Sequence, residues 1–137
     1  MQLNVSPFKS PAEALAWARD AIDEAAGAAR SRYLTVTPGQ DATYSAKYAD
    51  AKAFALAGYP DAQIDSYPWV KAEAVAMGGT PRAAAEGIKN VGDAWNTYLG
   101  PAIEGARIGG KDSLKTLATI PEIVFHARKT LDTLNSI

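Results

Sequence analysis

An all-α fold, about five helices in a bundle-like arrangement, is what this 137-residue sequence predicts, and three observations carry the prediction. Three segments place a Ser or Thr, a proline close behind it, and a Glu or Gln three residues on: Ser10-Pro11-Ala12-Glu13, Thr37-Pro38-Gly39-Gln40 and Thr119-Ile120-Pro121-Glu122. In such a capping box the hydroxyl takes an orphan amide of the first turn and the longer side chain reaches back, while proline fits because its missing N–H is not needed there. Apolar residues between these starts recur at three- and four-residue spacing, and no segment alternates convincingly with period two. Alanine supplies much of the apolar content; it favours helix but buries little area, so a core built from it needs close helix approach or a partner's surface.

Residues 1–9 read as an N-terminal arm and 10–137 as a single helical domain. In the arm, Leu3, Val5 and Phe8 either dock on the domain or a neighbour, or belong to a frayed terminus. The first helix runs from the Ser10 cap to Tyr33, with an apolar stripe of Leu15, Ala18, Ile22, Ala25, Ala29 and Tyr33. A second covers 38–57, with Tyr44, Tyr48, Ala51 and Ala55 on one side and Phe54 beside them; Gly58 suits the left-handed residue that closes it. Tyr59, Pro60 and two aspartates mark a loop over 59–66. A short third helix over 68–77 carries Trp69, Ala72, Val75 and Ala76 and stops at Gly78-Gly79.

Thr80-Pro81 opens the longest helix, expected over about 81–117. Ile88, Val91, Trp95, Tyr98, Ala102 and Gly105 give it a coiled-coil-like seam. Gly100-Pro101 interrupts it, because proline removes a backbone bond and clashes one turn back, so a kink near Trp95–Leu99 is expected. Gly105 and Gly109 stand one turn apart, where a neighbouring backbone can come close or where they merely weaken the helix by about 1 kcal/mol each. The last helix, over 120–134, has the cleanest amphipathic pattern: Ile123, Val124, Ala127, Leu131 and Leu134.

Composition narrows function. The formal net charge is −1 with both signs interspersed, and no basic stripe suggests nucleic-acid binding. With no cysteine there is no disulfide, thiol nucleophile or thiolate metal site. No apolar run approaches a membrane span of about 20 residues, and 1–9 lacks the pattern of a secretory signal, so a soluble domain is expected.

Candidates for chemistry are few, and each has a plainer reading. His126, the single histidine, follows Glu122 by one turn, but a metal site needs more ligands than this pair, and a satisfied surface histidine explains it. Asp20, Asp23 and Glu24 on the first helix are read as a solvated face rather than catalytic carboxylates. Glu104, Arg107 and Lys111 read as intrahelical pairing. No Gly-rich loop follows a strand, so no nucleotide site is expected. The reading is therefore of a non-enzyme with no catalytic, cofactor-binding or metal residues and no cofactor. The aromatic residues carry more information. Tyr44, Tyr48, Tyr67, Trp69, Trp95 and Tyr98 are the candidate protein contacts, since Tyr and Trp bury area while keeping a polar handle; the competing reading is that they fill gaps in an alanine core.

From Arg32-Tyr33 onward, the order Gly39-Gln40, Thr43-Tyr44, Lys47, Tyr67-Pro68, Ala72-Glu73-Ala74, Gly79-Thr80, Trp95, Ile103-Glu104, Arg107 and Lys111 resembles a helical module of tailed-bacteriophage tail-fibre and tail-fibre-assembly proteins. The module usually follows a separate N-terminal domain, whereas here an arm and one helix precede it, and Gly100-Pro101 interrupts a stretch expected to be richer in alanine. The resemblance implies a phage origin and contact with other tail or fibre proteins. It implies a virion component or an assembly chaperone in the host cytoplasm, with homo-oligomerisation, as a trimer to match fibre symmetry, among its expectations. It carries no catalytic residues. The alternatives are a small phage-encoded regulator or inhibitor that binds a host protein, and a hydrolase relying on Asp20 or Glu24.

Overall fold

The computed structural model describes residues 8–34 and 40–137, with only the backbone of Gln40. Every regular element among them is helical, as expected. The first is α1, Pro11–Ser31. The Ser10 hydroxyl accepts from the Glu13 amide at 3.2 Å. Glu13 reaches back one residue further than the simple capping box, accepting from the Lys9 amide at 3.3 Å. The buried stripe of α1 is Ala14, Ala18, Ile22, Ala26 and Ala29, so the expected stripe is right at its centre and rotated by one residue at Leu15 and Ala25, while Tyr33 lies beyond the helix and is exposed. With alanine on adjacent faces, the partners and not the sequence choose which alanines are covered.

Helix α2 is Gln40–Leu56; the expected cap at Thr37-Pro38-Gly39 lies outside the described residues. Gly58 takes φ +82° after it, as a helix-closing glycine should, and Tyr59 follows with φ +58°. The expected loop is a 3₁₀ turn, Asp61–Ser66. Helix α3 is Pro68–Met77, ended by Gly78 at φ +65°. Helix α4, Pro81–Ala94, begins where the Thr80 hydroxyl accepts from the Ala83 amide at 3.2 Å.

The expected long helix over 81–117 is four pieces. After α4, residues Trp95–Leu99 form a π turn, α5 follows as Gly100–Ser113, and a 3₁₀ turn covers Leu114–Thr116. Pro101 has no N–H for the carbonyl four residues back and its ring crowds that carbonyl; a widened turn relieves both. The interruption expected near Gly100-Pro101 takes the form of a π turn in the residues that precede the proline. Among the described residues there are thus six α-helices where five were expected. Helix α6, Ile120–Asn135, starts with the Thr119 hydroxyl accepting from the Glu122 amide at 3.4 Å and buries Ile123, Val124, Ala127 and Leu134.

The sequence reading treats 10–137 as one domain, whereas the helices pack as two compact units: Met1–Thr35 with Leu99–Ile137, and Val36–Tyr98. In the first unit α1, α5 and α6 contact one another pairwise. Its large buried side chains are Ile22, Ile103, Leu114, Ile123, Val124 and Leu134. Close approach of α5 to α6 depends on Gly110, where a Cβ would fall 2.3 Å from Thr130 Cγ2. Gly105 and Gly109, the positions expected to admit a neighbouring backbone, face open space. Phe8 docks on this unit, its ring 5.1 Å from that of Trp17; the rest of the expected arm, through Pro7, lies outside the described residues.

In the second unit α2, α3 and α4 form another pairwise-contacting triad. Its core is Ala51, Phe54, Val70, Ala74, Ala84 and Ala85. Tyr59 and Tyr67 pack edge-on against the Phe54 ring at 5.7 and 5.0 Å.

Candidate protein-contact surface

Helix α3 is apolar on two opposite sides. At about 100° per residue, Val70 and Ala74 share one side, while Trp69, Ala72, Val75 and Ala76 lie across the helix from them. The fold buries the first side against the unit's core and leaves the second in solvent: Trp69 is 40% and Val75 75% exposed, and both alanines are exposed. The stripe that the sequence marks as apolar is therefore the uncovered one. Two ion pairs flank α3. Lys71 meets Asp65 at 2.6 Å in the open, and Lys47 meets Glu73 at 2.7 Å in a half-buried setting.

The start of α3 is held in place by a cap from another helix. Asp50 on α2 accepts from the Trp69 and Val70 amides, both at 2.9 Å, so one carboxylate satisfies two orphan donors and meets the positive end of the helix. Sequence reasoning missed Asp50. The signal was indirect: Pro68 opens α3, yet Tyr67 before it makes no side-chain cap bond.

The other candidate residues divide by role. Tyr67 is half-buried on Phe54 and belongs to the core of its unit. Tyr48 is half-buried over Gly92, where an added Cβ would lie 2.1 Å from its Cδ2, and its hydroxyl donates to Asp93. That bond holds the Asp93 carboxyl below its ordinary range and raises the Tyr48 hydroxyl above its own. Lys52 sits 5.2 Å from the Tyr48 ring centroid. Tyr44 is half-buried on α2. Trp95 is half-buried in the π turn, while Tyr98 is 72% exposed. The seam expected from Ile88 to Gly105 is not one face. A π turn adds about one residue to a helical turn, so three-and-four spacing no longer lines up across it, and Val91 is 61% exposed. Of these candidates Trp69 and Tyr98 are exposed, while Tyr48 and Tyr67 pack within their own unit, as the competing gap-filling reading has it.

In the first unit the charged residues tie helices together. Glu104 accepts from Arg107 at 2.6 Å within α5, but also from Arg30 of α1 at 2.7 Å. Arg107 and Lys111 further donate to Asp23 of α1 at 3.2 and 2.8 Å. The reading of Glu104, Arg107 and Lys111 as intrahelical pairing is thereby corrected: one pair is intrahelical and three bridge α1 to α5. The bond from Lys111, helped by Arg107, holds the Asp23 carboxyl below its ordinary range, and Arg107 does the same for Glu104. Arg107, between two carboxylates, has its pKa raised. Arg32 donates to the Leu134 carbonyl at 2.7 Å and Tyr33 to that of Ile137, fastening the end of α1 to the end of α6.

His126 is half-buried and edge-on to Phe125 at 5.6 Å. It lines an open depression of about 290 Å³ with Gly105, Gly109, Ser113 and Lys129. Among the described residues no group of three His, Cys, Asp or Glu side chains is placed to hold a metal ion. No helix among them is long and apolar enough to cross a membrane. In comparisons with known proteins, no family model, curated protein or solved structure matches the chain.

Proposed function

We propose that the chain is a tail-associated phage protein that acts by contact with other proteins. It serves either as a virion component near the tail tip or fibres, or as a chaperone that holds fibre segments during assembly. The observation that carries the contact half is the second apolar side of α3, where Trp69 and Val75 stand in solvent beside Ala72 and Ala76. A helix apolar on both sides is ordinarily covered on both. Trp69 offers a large anchor and the two alanines offer a shallow surface that a facing helix can approach. Leu56, Met77, Val91 and Tyr98 are further exposed apolar side chains of the same unit, each at 61% or more. The phage half rests on the ordered pattern from Arg32 to Lys111 and its resemblance to tail-fibre and tail-fibre-assembly modules. On this reading the chain needs no cofactor and performs no catalysis.

Mass spectrometry of purified virions tests it. The chain's peptides in particles identify a virion component. Absence from particles, with a fibre protein co-purifying from infected cells, identifies a chaperone. Absence from particles with only a host protein captured overturns the tail assignment in favour of a regulator of that host protein. Light scattering on the isolated chain gives the number of copies, for which a trimer matches fibre symmetry.

A further inference from the structure

We infer that Val36–Tyr98 folds and opens as a cooperative unit of its own, so that α2, α3 and α4 unfold while α1, α5 and α6 stay packed. The inference is independent of what the chain contacts. Each unit owns a complete three-helix set of contacts and its own buried core. The two cores differ in content. Of the eight largest fully buried side chains among the described residues, only Phe54 and Val70 belong to the inserted unit; Ile22, Ile103, Leu114, Ile123, Leu134 and Val124 belong to the other. Hydrophobic stabilisation follows the apolar area removed from water, so the inserted unit is the weaker and opens first.

The second observation is where the chain leaves and re-enters the outer unit. Arg30, near the end of α1, donates to Glu104, in the first turns of α5, at 2.7 Å. Arg107 and Lys111 fix the same two helices through Asp23. The ends of the insertion are therefore tied by bonds that the insertion does not supply. Opening it turns a folded segment into a loop whose ends stay joined, and the entropy of such a loop changes only slowly with its length. The outer unit's helices need not part for the inserted ones to unfold.

The three tryptophans report the units separately: Trp17 sits on α1, and Trp69 and Trp95 sit in the inserted unit. Urea unfolding of the full chain, followed by fluorescence, is run on Trp17→Phe and on the double variant Trp69→Phe with Trp95→Phe. The inserted unit's tryptophans should change at lower urea than Trp17. Phe54→Ala, added to each, should lower the first midpoint by at least about 1 M, or abolish that transition outright, and leave the Trp17 midpoint in place. Ile123→Val should move only the Trp17 midpoint. Coincident midpoints that shift together in both core variants, or loss of the Trp17 transition in Phe54→Ala, overturn the inference.

Discussion

Gly92→Ala probes how α2 meets α4, and its sign should depend on Tyr48. An added Cβ at position 92 would stand 2.1, 2.5 and 2.9 Å from Cδ2, Cε2 and Cγ of the Tyr48 ring. The crowded atoms include the ring's root, so a turn of the ring alone does not clear them, and the hydroxyl is tethered to Asp93. Overpacking of this kind costs about 1–3 kcal/mol, and alanine in a helix interior returns roughly 1 kcal/mol against glycine. Gly92→Ala should therefore destabilise the Val36–Tyr98 unit by about 1 kcal/mol, with zero to about 2 as the range. In a Tyr48→Ala background the clash is gone and only the propensity gain is left, so the same substitution should stabilise by about 1 kcal/mol. Urea unfolding monitored through Trp69 and Trp95 measures both legs of the cycle. An effect of Gly92→Ala that is equal in the two backgrounds within about 0.5 kcal/mol refutes the packing argument.

Three further perturbations have defined outcomes. Asp50→Ala leaves the Trp69 and Val70 amides without an acceptor and should cost about 1–2 kcal/mol in the same assay, with Asp50→Asn retaining much of the stability; an Asp50→Ala variant as stable as the parent contradicts the cap. Neighbouring glycines of α5 should respond with opposite signs: Gly109→Ala faces open space and should stabilise by roughly 1 kcal/mol, whereas Gly110→Ala meets Thr130 and should destabilise, as read by the Trp17 transition. Asp23 and Glu104 have folded pKa values below their ordinary 3.8 and 4.5, so the unfolded chain takes up protons first as pH falls. Their contribution is full above that range and is lost as pH drops through the folded values, so Arg107→Ala should flatten the acid loss of Trp17-monitored stability; an unchanged acid slope excludes the bridge.

The sequence shows the helix starts because the code for them is local. Ser10, Thr80 and Thr119 each sit a turn from the amide they bind, and Gly58 and Gly78 need nothing beyond their own backbone freedom. The break before Pro101 is legible for the same reason, although its form as a π turn is not, since widening is one of several ways to relieve the clash. What escapes sequence reasoning depends on distant pairs. Asp50 and Trp69 meet across 19 residues, and Asp23 and Lys111 across 88; no spacing rule reaches either. The split into two units escapes for a related reason: the helical pattern runs on through 81–116 with no linker composition to mark a boundary. The candidate surface is half-legible. Trp69, Ala72, Val75 and Ala76 read as one stripe, but α3 has apolar residues on its opposite side too, and only the positions of α2 and α4 decide which side is covered.

The contact reading is tested most directly by charging the open side of α3. Ala72→Glu with Val75→Glu places two carboxylates among exposed residues. The account predicts unfolding free energies, read from the Trp17 and Trp69 transitions, within about 0.5 kcal/mol of the parent's, together with loss of the fibre or tail protein that the parent chain captures from infected cells. Undiminished capture by a folded double variant would contradict the assignment of this face.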